Sequence, residues 1–209
     1  LRQTNGQNQS VCCPTADSRL KHPQSASWFS PSQTLKRQID PSTLSWLVDE
    51  GSLTQRLKTY CPDQFSVVVL AEEWGKPDHS EAKLLGIPMA QKVLLRQVHL
   101  KCGDQLCVYA RSVIPLSTLQ GKHQRLQYLG NKPLGEYLFA NPTLKRSKIE
   151  WSKLTRTSSL FNIAMVNQPD SDEPVWGRRS LFQIDTKSLL VSEFFLPVLK
   201  DKTSQHDAD

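Results

Sequence analysis

Two charged residues interrupt apolar strand patterns, and their types suggest binding chemistry. Alternation places Arg96 on the same strand face as Leu94 and Val98, and Glu193 on the same face as Val191. A charge on an apolar strand face is costly unless it meets a partner or a ligand. Two such residues of opposite sign indicate the polar floor of a dry pocket that binds a small anion.

A structural explanation of the same residues stays open. Arg96 and Glu193 would also be satisfied as an ion pair with each other, through Arg111, or on a face that is partly hydrated. For a single charged residue on such a face, an ion pair is the more common explanation. Two residues of opposite sign support a pocket more than one would, but on the strand pattern alone a structural pair is still the more common explanation.

Two helix starts supply further donors of hydrogen bonds. Ser52 begins a helix with a capping-box pattern, and Pro133 begins another, so the backbone N–H groups of Leu53 and Leu134 lie in first helical turns. First turns carry free N–H groups and the positive end of the helix dipole. If both face one cavity with Arg96, they form a carboxylate site. Otherwise they are two ordinary capped helices.

The elements that position these residues predict an antiparallel α+β domain with about six strands and a single core. A helix begins at Asp40-Pro41 and ends at Gly51, which we expect to adopt the left-handed conformation of a C-terminal glycine. Residues 117–129 also have a helical pattern, and residues 160–166 are compatible with a further strand before a loop at 168–174. The predicted strands are 65–73, 93–101, 106–114, 144–151, 178–184 and 188–196, with a Gly103-Asp104 hairpin turn.

The composition of the two ends predicts three segments. Residues 1–35 are rich in Gln, Ser, Asn and Pro, and we expect a loosely ordered N-terminal arm that Trp28 and Phe29 dock onto the body. Residues 36–200 form the folded domain, and residues 201–209 form a polar tail.

Composition also argues against several classes of protein. The formal charge of +6 is scattered without a run of five basic residues, so we expect no nucleic-acid partner. No apolar run approaches the roughly 18 residues of a membrane helix, so we expect a soluble protein with no membrane insertion. The five His residues show no metal-binding spacing, and we expect no metal. The odd count of five Cys favours a reducing compartment, with Cys102 and Cys107 as ordinary thiols.

Several short motifs occur in a fixed order along residues 39–198. They are Trp46-Leu47, GSLTQR at 51–56, Leu95-Arg96, ARSVIP at 110–115, STL at 117–119, LGNKPLGEYLF at 129–139, LKR at 144–146, WGRRS at 176–180 and EFFLP at 193–197. Any one of these motifs is weak. The ordered set resembles the chorismate pyruvate-lyase (chorismate lyase) family of bacterial ubiquinone synthesis.

The resemblance implies an activity and a role for each candidate residue. Members of the family convert chorismate to 4-hydroxybenzoate and pyruvate, the first step of ubiquinone synthesis, and enclose the product beneath two helix-turn-helix flaps. By motif position, Arg96 and the backbone N–H groups of Leu53 and Leu134 bind the carboxylate of the product, and Glu193 binds its hydroxyl. Arg96 and Glu193 are the expected catalytic residues, and Glu193 acts either as an anchor for the hydroxyl or as a base.

Three more arginines are candidates for binding the enolpyruvyl carboxylate of chorismate. They are Arg111, Arg178 and Arg179, although surface or core ion pairs explain at least one of them equally well. Loss of pyruvate and a ring proton makes the ring aromatic, so we expect no cofactor. We expect a cytoplasmic monomer whose partners are the small molecules chorismate and 4-hydroxybenzoate.

A second class of function stays open beside the lyase. Effector-binding domains of some bacterial transcription regulators resemble this fold and bind small molecules without catalysis. Such domains usually follow a DNA-binding domain, and residues 1–35 are too short and too polar to form one. The segment between Trp151 and Trp176 is longer than in the shorter members of the lyase family.

Overall fold

Apolar alternation and short polar turns produce one antiparallel sheet in the computed structural model, which describes residues 26–166 and 173–199. Within these residues the sheet has seven strands in the order β1-β2-β3-β7-β6-β4, and β5 also pairs with β6. The strands are β1 Phe65–Gly75, β2 Val93–Cys102, β3 Gln105–Pro115, β4 Lys145–Arg146, β5 Glu150–Leu154, β6 Val175–Ile184 and β7 Lys187–Phe195. The predicted α+β class is confirmed.

Helices cover both faces of this sheet. They are α1 Gln33–Lys36, α2 Pro41–Val48, α3 Leu53–Tyr60, α4 His79–Leu85, α5 Leu134–Phe139 and α6 Ser159–Ala164, with 3-10 turns at Gly121–Tyr128 and Pro197–Leu199. The helices α2, α3 and α5 pack over one face, and α4 and α6 pack over the other. None of the helices in the described part of the chain is long and apolar enough to cross a membrane.

The central β2–β3 hairpin has the turn that the sequence predicts. Only Gly103 and Asp104 separate the two strands, and Gly103 has a φ of 59°. A positive φ is costly for a side chain with a Cβ, so glycine suits this turn. The hairpin places Arg96 directly opposite Ser112.

Three local predictions were wrong. Helix α2 ends at Val48 with an extended Asp49, and Gly51 lacks a positive φ, so Gly51 is no left-handed cap. Residues 160–166 fall mostly in α6, because Leu160, Phe161, Ile163 and Ala164 are buried at helical spacing. The strand predicted at 144–151 is split between the short strands β4 and β5.

The prediction of an ordinary thiol at Cys102 was also wrong. Cys102 forms a disulfide with Cys61, which follows α3, and the bond joins residues 41 positions apart in the sequence. The pairing depends on contact between the end of α3 and the end of β2. The sequence around either cysteine carries no sign of that contact. Cys107 is a buried thiol.

The end of the predicted N-terminal arm lies against the sheet. Phe29 forms a β-bridge with Trp151, and the Trp28 ring lies 5.7 Å from the Phe194 ring. Both aromatic residues therefore dock onto the body as expected. The rest of the predicted arm (1–25), residues 168–172 of the predicted loop and the tail (201–209) lie outside the described residues.

Candidate active site

A cavity lies between the sheet and the helices α3 and α5. Its empty space measures about 560 Å³ when the part open to solvent at its mouth is counted. Its charged lining residues are Arg96, Arg146, Arg178 and Glu193. Most of the remaining lining is apolar or backbone, and its residues include Leu53, Val98, Leu100, Leu134, Leu138, Phe182 and Val191. A mostly apolar cavity with a few convergent charges is typical of a site for a small ligand.

Strand register gathers these charges on one face of the sheet. Ala110 of β3 pairs with Glu193 of β7, and Glu193 pairs in turn with Arg178 of β6. Arg96 lies one strand further along, on β2. Paired residues in neighbouring strands share a face, so the four strands form a continuous floor. The two residues that the sequence singled out therefore meet in one cavity.

The Arg96 side chain is buried and forms hydrogen bonds both with β1 and with the loop before α5. Its Nε donates to Glu72 Oε2 at 3.1 Å, and its Nη2 donates to the backbone carbonyls of Gly130 and Lys132 at 2.8 and 3.0 Å. Burial lowers the pKa of Arg96, and Glu72 acts in the opposite direction. No described residue accepts a hydrogen bond from Nη1. This atom is therefore the one left for a ligand.

A β-bulge in β1 puts Glu72 in reach of Arg96. The register of β1 against β2 shifts between Val69 and Ala71, and Glu72 then pairs with Arg96. The extra residue of a bulge changes which side chains share a face with the neighbouring strand. The sequence did not reveal this partner, because the pattern of β1 shows no interruption at the bulge.

Glu193 is paired as well, but with Arg178. Arg178 Nε donates to Glu193 Oε2 at 2.7 Å. The Nη1 atom of Arg178 donates to the carbonyl of Trp46 at 2.7 Å and also to the carbonyl of Asp49. Arg178 therefore fixes Glu193 and ties the sheet to the end of α2. The ion pair between Arg96 and Glu193 that the sequence left open is absent, since each residue has another partner.

Arg146 also lines the cavity, although the strand pattern of the sequence does not single it out. Its Nε donates to Ser180 Oγ at 2.9 Å, and its Nη1 donates to the Glu50 carbonyl at 3.0 Å. Burial lowers the pKa of Arg146, and the positive charge of Arg178 lowers it further. Arg146 lies on a strand of only two residues, which has no periodic pattern to mark it. Its place in the LKR motif was the only signal in the sequence.

Helices α3 and α5 form the cover of the cavity. Leu53 and Leu134, the first residues of the two helices, both line it. The two helices touch, because a Cβ atom on Gly135 would lie only 2.6 Å from Thr54 Oγ1. The helix starts that the sequence predicted are thus adjacent and border one cavity.

Two of the proposed arginines lie elsewhere. Arg111 pairs with Gln97, one position out of phase with Arg96, and so lies on the opposite face of the sheet. There its Nε donates to Glu81 Oε1 of α4 at 2.7 Å. Burial alone would lower the pKa of Arg111, but the charge of Glu81 outweighs it and raises that pKa.

Arg179 lies on that opposite face too. It follows Arg178 in the same strand, and its Nε donates to Glu150 Oε2 at 2.7 Å. Neither Arg111 nor Arg179 lines the cavity. Both form ion pairs, Arg111 a buried one and Arg179 a partly exposed one, and of the three additional candidates only Arg178 reaches the site.

The site shows no arrangement suited to a metal. Across residues 26–166 and 173–199, no three His, Cys, Asp or Glu side chains are grouped so that they would hold an ion. The charged groups at the cavity are three guanidinium groups and one carboxylate. Guanidinium groups bind carboxylates through paired hydrogen bonds. The arrangement therefore suits a ligand that carries negative charge.

The known sequences to which this chain is similar carry the same family description. The family model described as chorismate lyase matches residues 22–205. A protein of Methylococcus capsulatus named "Probable chorismate pyruvate-lyase" is 40% identical over 163 residues, which cover 74% of this chain and 94% of that protein. The "Probable chorismate pyruvate-lyase 2" of Pseudomonas entomophila is 38% identical over 179 residues, which cover 85% of this chain and 92% of that protein.

Solved structures give a more distant likeness. The effector domain of PhnF from Mycobacterium smegmatis superposes with a TM-score of 0.49 and 13% sequence identity, covering 72% of this chain and 91% of that chain. At that distance the likeness says nothing about the ligand of this chain.

Proposed function

Because this chain belongs to the chorismate lyase family, we propose that it is a chorismate pyruvate-lyase. It converts chorismate to 4-hydroxybenzoate and pyruvate. The carbon–oxygen bond between the ring and the enolpyruvyl group breaks, and a proton leaves the neighbouring ring carbon, which keeps its hydroxyl. The electron pair of that C–H bond completes the aromatic ring. Pyruvate leaves as its enolate, which keeps the ether oxygen and takes up a proton at its methylene carbon to become pyruvate.

The charge of the cavity is the observation that carries this proposal. Three arginines and one glutamate line it, which leaves two positive charges on the lining. Chorismate has two carboxylates and is a dianion at neutral pH, so its charge matches that of the lining. Coulomb attraction is stronger in a buried site than in water, because protein screens charges less. The apolar residues of the lining suit the ring.

Arg96 is proposed to bind the ring carboxylate. Its side chain is only 2% exposed, and its Nη1 is the atom without a partner in the described chain. The backbone N–H groups of Leu53 and Leu134 add donors from two first helical turns. Because Nη2 also holds the loop before α5, carboxylate binding at Arg96 would order the cover of the cavity.

Glu193 is proposed to hold the ring hydroxyl. Arg178 occupies its Oε2 and fixes the carboxylate in place, so Oε1 is the oxygen available to accept from the hydroxyl. The hydroxyl is attached to the carbon that loses the proton. Glu193 is therefore near the reacting C–H bond whether it acts as an anchor or as the base.

Positioning and exclusion of water supply the rest of the catalysis in this proposal. Aromatisation drives the elimination, so the proposed reaction uses no cofactor. We also propose that the enzyme is monomeric, acts in the cytoplasm and begins ubiquinone synthesis. Disulfides are uncommon in the cytoplasm, so the oxidation state of Cys61 and Cys102 in cells tests the proposed location.

The direct test is incubation of the protein with chorismate. We expect 4-hydroxybenzoate, followed by its absorbance, and pyruvate in equal amounts. Arg96→Ala should lower kcat/KM by about 100-fold or more, because a buried carboxylate loses its charged donor. Lys145→Met, an exposed change on β4, should leave the rate unchanged.

Circular dichroism of Arg96→Ala should confirm that the variant is folded. Near-normal turnover in this folded variant would refute the role of Arg96. Binding of 4-hydroxybenzoate by the unaltered protein without any turnover of chorismate would instead indicate a ligand-binding domain and refute the lyase.

A further inference from the structure

Arg146 has an unusual environment for a partly buried arginine. All of its hydrogen-bond acceptors are neutral: Ser180 Oγ and the backbone carbonyls of Asp49 and Glu50. It forms no ion pair with any residue in the described ranges. Its guanidinium carbon lies 5.1 Å from the centre of the Phe182 ring. The charge of Arg146 is thus solvated by dipoles and an aromatic face rather than by a carboxylate.

The nearest charges do not neutralise Arg146. Arg178 is close enough to repel it, and the Oε2 atom of Glu193 is already occupied by Arg178. The carboxylates of Glu193, Asp49 and Glu50 also attract Arg146, but none of them forms an ion pair with it, and Asp49 is already paired with Arg56. A positive charge without a carboxylate partner beside a second one is unfavourable in a cavity unless an anion binds there. No described atom accepts a hydrogen bond from Nη2 of Arg146.

The strand order puts Arg146 at the far end of the cavity from Arg96. Arg96 is on β2, Glu193 on β7 and Arg146 on β4, in the order β2-β3-β7-β6-β4. Four strand spacings of about 4.8 Å separate the backbones of the two arginines by about 19 Å. Both side chains line the same cavity, so they approach its contents from opposite edges. Glu193 lies between them.

A ligand that spans this floor has a definite order of groups. It presents an anionic group to Arg96, a hydroxyl to Glu193, and a second anionic group to Arg146. Arg178 is the less suitable site for the second anion, because its charge is already paired with Glu193, whereas the hydrogen-bond acceptors of Arg146 are all neutral. A molecule with a single carboxylate leaves Arg146 without an anion.

We propose that Arg146 binds the carboxylate of the enolpyruvyl group, the part of chorismate that leaves as pyruvate. This inference rests on the proposed lyase activity. It makes Arg146 the residue that distinguishes the dianionic substrate from the product, since 4-hydroxybenzoate has lost the second carboxylate. Arg96 contacts a group that substrate and product share, and Arg146 contacts a group that only the substrate has.

The test compares substrate and product in one set of variants. Arg146→Met keeps an unbranched apolar stem and removes the guanidinium charge, and Arg146→Lys keeps the charge. We expect Arg146→Met to lower kcat/KM for chorismate by about 10- to 150-fold, the equivalent of one charge-assisted hydrogen bond. The Kd for 4-hydroxybenzoate, measured by calorimetry, should change by less than about threefold. Arg146→Lys should recover part of the loss.

Lys145→Met is the matched control, because Lys145 is exposed on the same strand. It should match the unaltered protein with both ligands. Equal losses of chorismate turnover and of 4-hydroxybenzoate binding in Arg146→Met would overturn the proposal, since they would place Arg146 against the ring half or in a purely structural role. Unchanged kcat/KM would overturn it too.

A second measurement needs no variant and covers the case in which Arg146→Met does not fold. The unaltered protein is titrated with 3-(1-carboxyethoxy)benzoate and with 3-ethoxybenzoate, which differ only in the second carboxylate. The dicarboxylate should bind at least about tenfold more tightly, and equal affinities would refute a second carboxylate site. Absence of pyruvate release from chorismate would refute the lyase instead, and the pair of analogues would still test the second site.

Discussion

Substitution of Gly135 by alanine should separate the two helices that cover the cavity. A Cβ atom at this position would lie 2.6 Å from Thr54 Oγ1 and 3.4 Å from Thr54 Cβ. Thr54 is buried, and a β-branched side chain has few other rotamers, so it cannot easily turn away. Relief of the overlap therefore requires α5 to move away from α3.

The size of the effect follows from two opposing contributions. One extra methyl group in a well-packed site costs about 1 to 3 kcal/mol. Alanine is a better helix former than glycine by up to about 1 kcal/mol, and less near the end of a helix. The net effect of about 1 to 2 kcal/mol destabilises the closed form, in which α5 contacts α3 over the cavity. The ratio of closed to open forms should drop about 5- to 30-fold.

The assay is the affinity for 4-hydroxybenzoate together with the rate of its release. Gly135→Ala should raise the Kd by about 5- to 30-fold and speed dissociation, because a ligand held under the cover needs the closed form. If product release limits turnover, kcat rises while the affinity falls. Thermal unfolding should change little, since the strain is relieved by opening the cover.

A double variant provides the control. Thr54→Ala removes the Oγ1 atom, and the remaining 3.4 Å contact is an ordinary one. Gly135→Ala combined with Thr54→Ala should therefore bind the product better than the sum of the two single effects, with a coupling energy of about 1 kcal/mol. Strictly additive effects, or an unchanged Kd in Gly135→Ala alone, would refute contact between the helices as the means of closure.

Three further outcomes follow from packing, crosslinking and charge. Gly177→Ala should lower the melting temperature by roughly 5 °C, because its Cβ would overlap an aromatic ring on β7, and an unchanged melting temperature would contradict that packing. Replacing Cys61 and Cys102 by serine should lower the free energy of unfolding in urea by about 4 kcal/mol, and reduction of the unaltered protein should lower it equally. Hydrogen bonds, of which the one from Lys122 has the largest effect, lower the pKa of Asp185 from 3.8 to about 2. The stability advantage over Asp185→Asn should therefore be complete above about pH 5 and vanish as the pH falls towards 2, and a difference independent of pH would exclude this pairing.

Local patterns in the sequence were sufficient for much of the fold. The β2–β3 hairpin, the starts of α3 and α5, and the strands β6 and β7 lie close to where periodicity and turn residues predicted them. Such features depend on residues near one another in the chain. Helix α6 was missed as a helix because short apolar runs suit both a buried strand and a buried helix.

Local sequence patterns did not predict the contacts between segments that are distant in the chain. Glu72 faces Arg96 only because β1 carries a bulge, and Cys61 meets Cys102 only because α3 ends beside β2. Arg146 reaches the cavity from a strand too short to have a period. In each case the partner is set by packing across the sheet, and no local signal specifies it.

The sequence by itself determined the family and the α+β class. It also singled out Arg96 and Glu193 as charged residues on otherwise apolar strand faces. Burial of a charge without a partner is so costly that a charged residue in an apolar strand pattern indicates a partner or a ligand. Only the tertiary structure decided which partners they have, and that Arg178 and Arg146 share their cavity while Arg111 lies on the opposite face. The reason is physical: a shift of one residue in register turns a side chain to the other face of a sheet, and the order of the strands decides which side chains then meet.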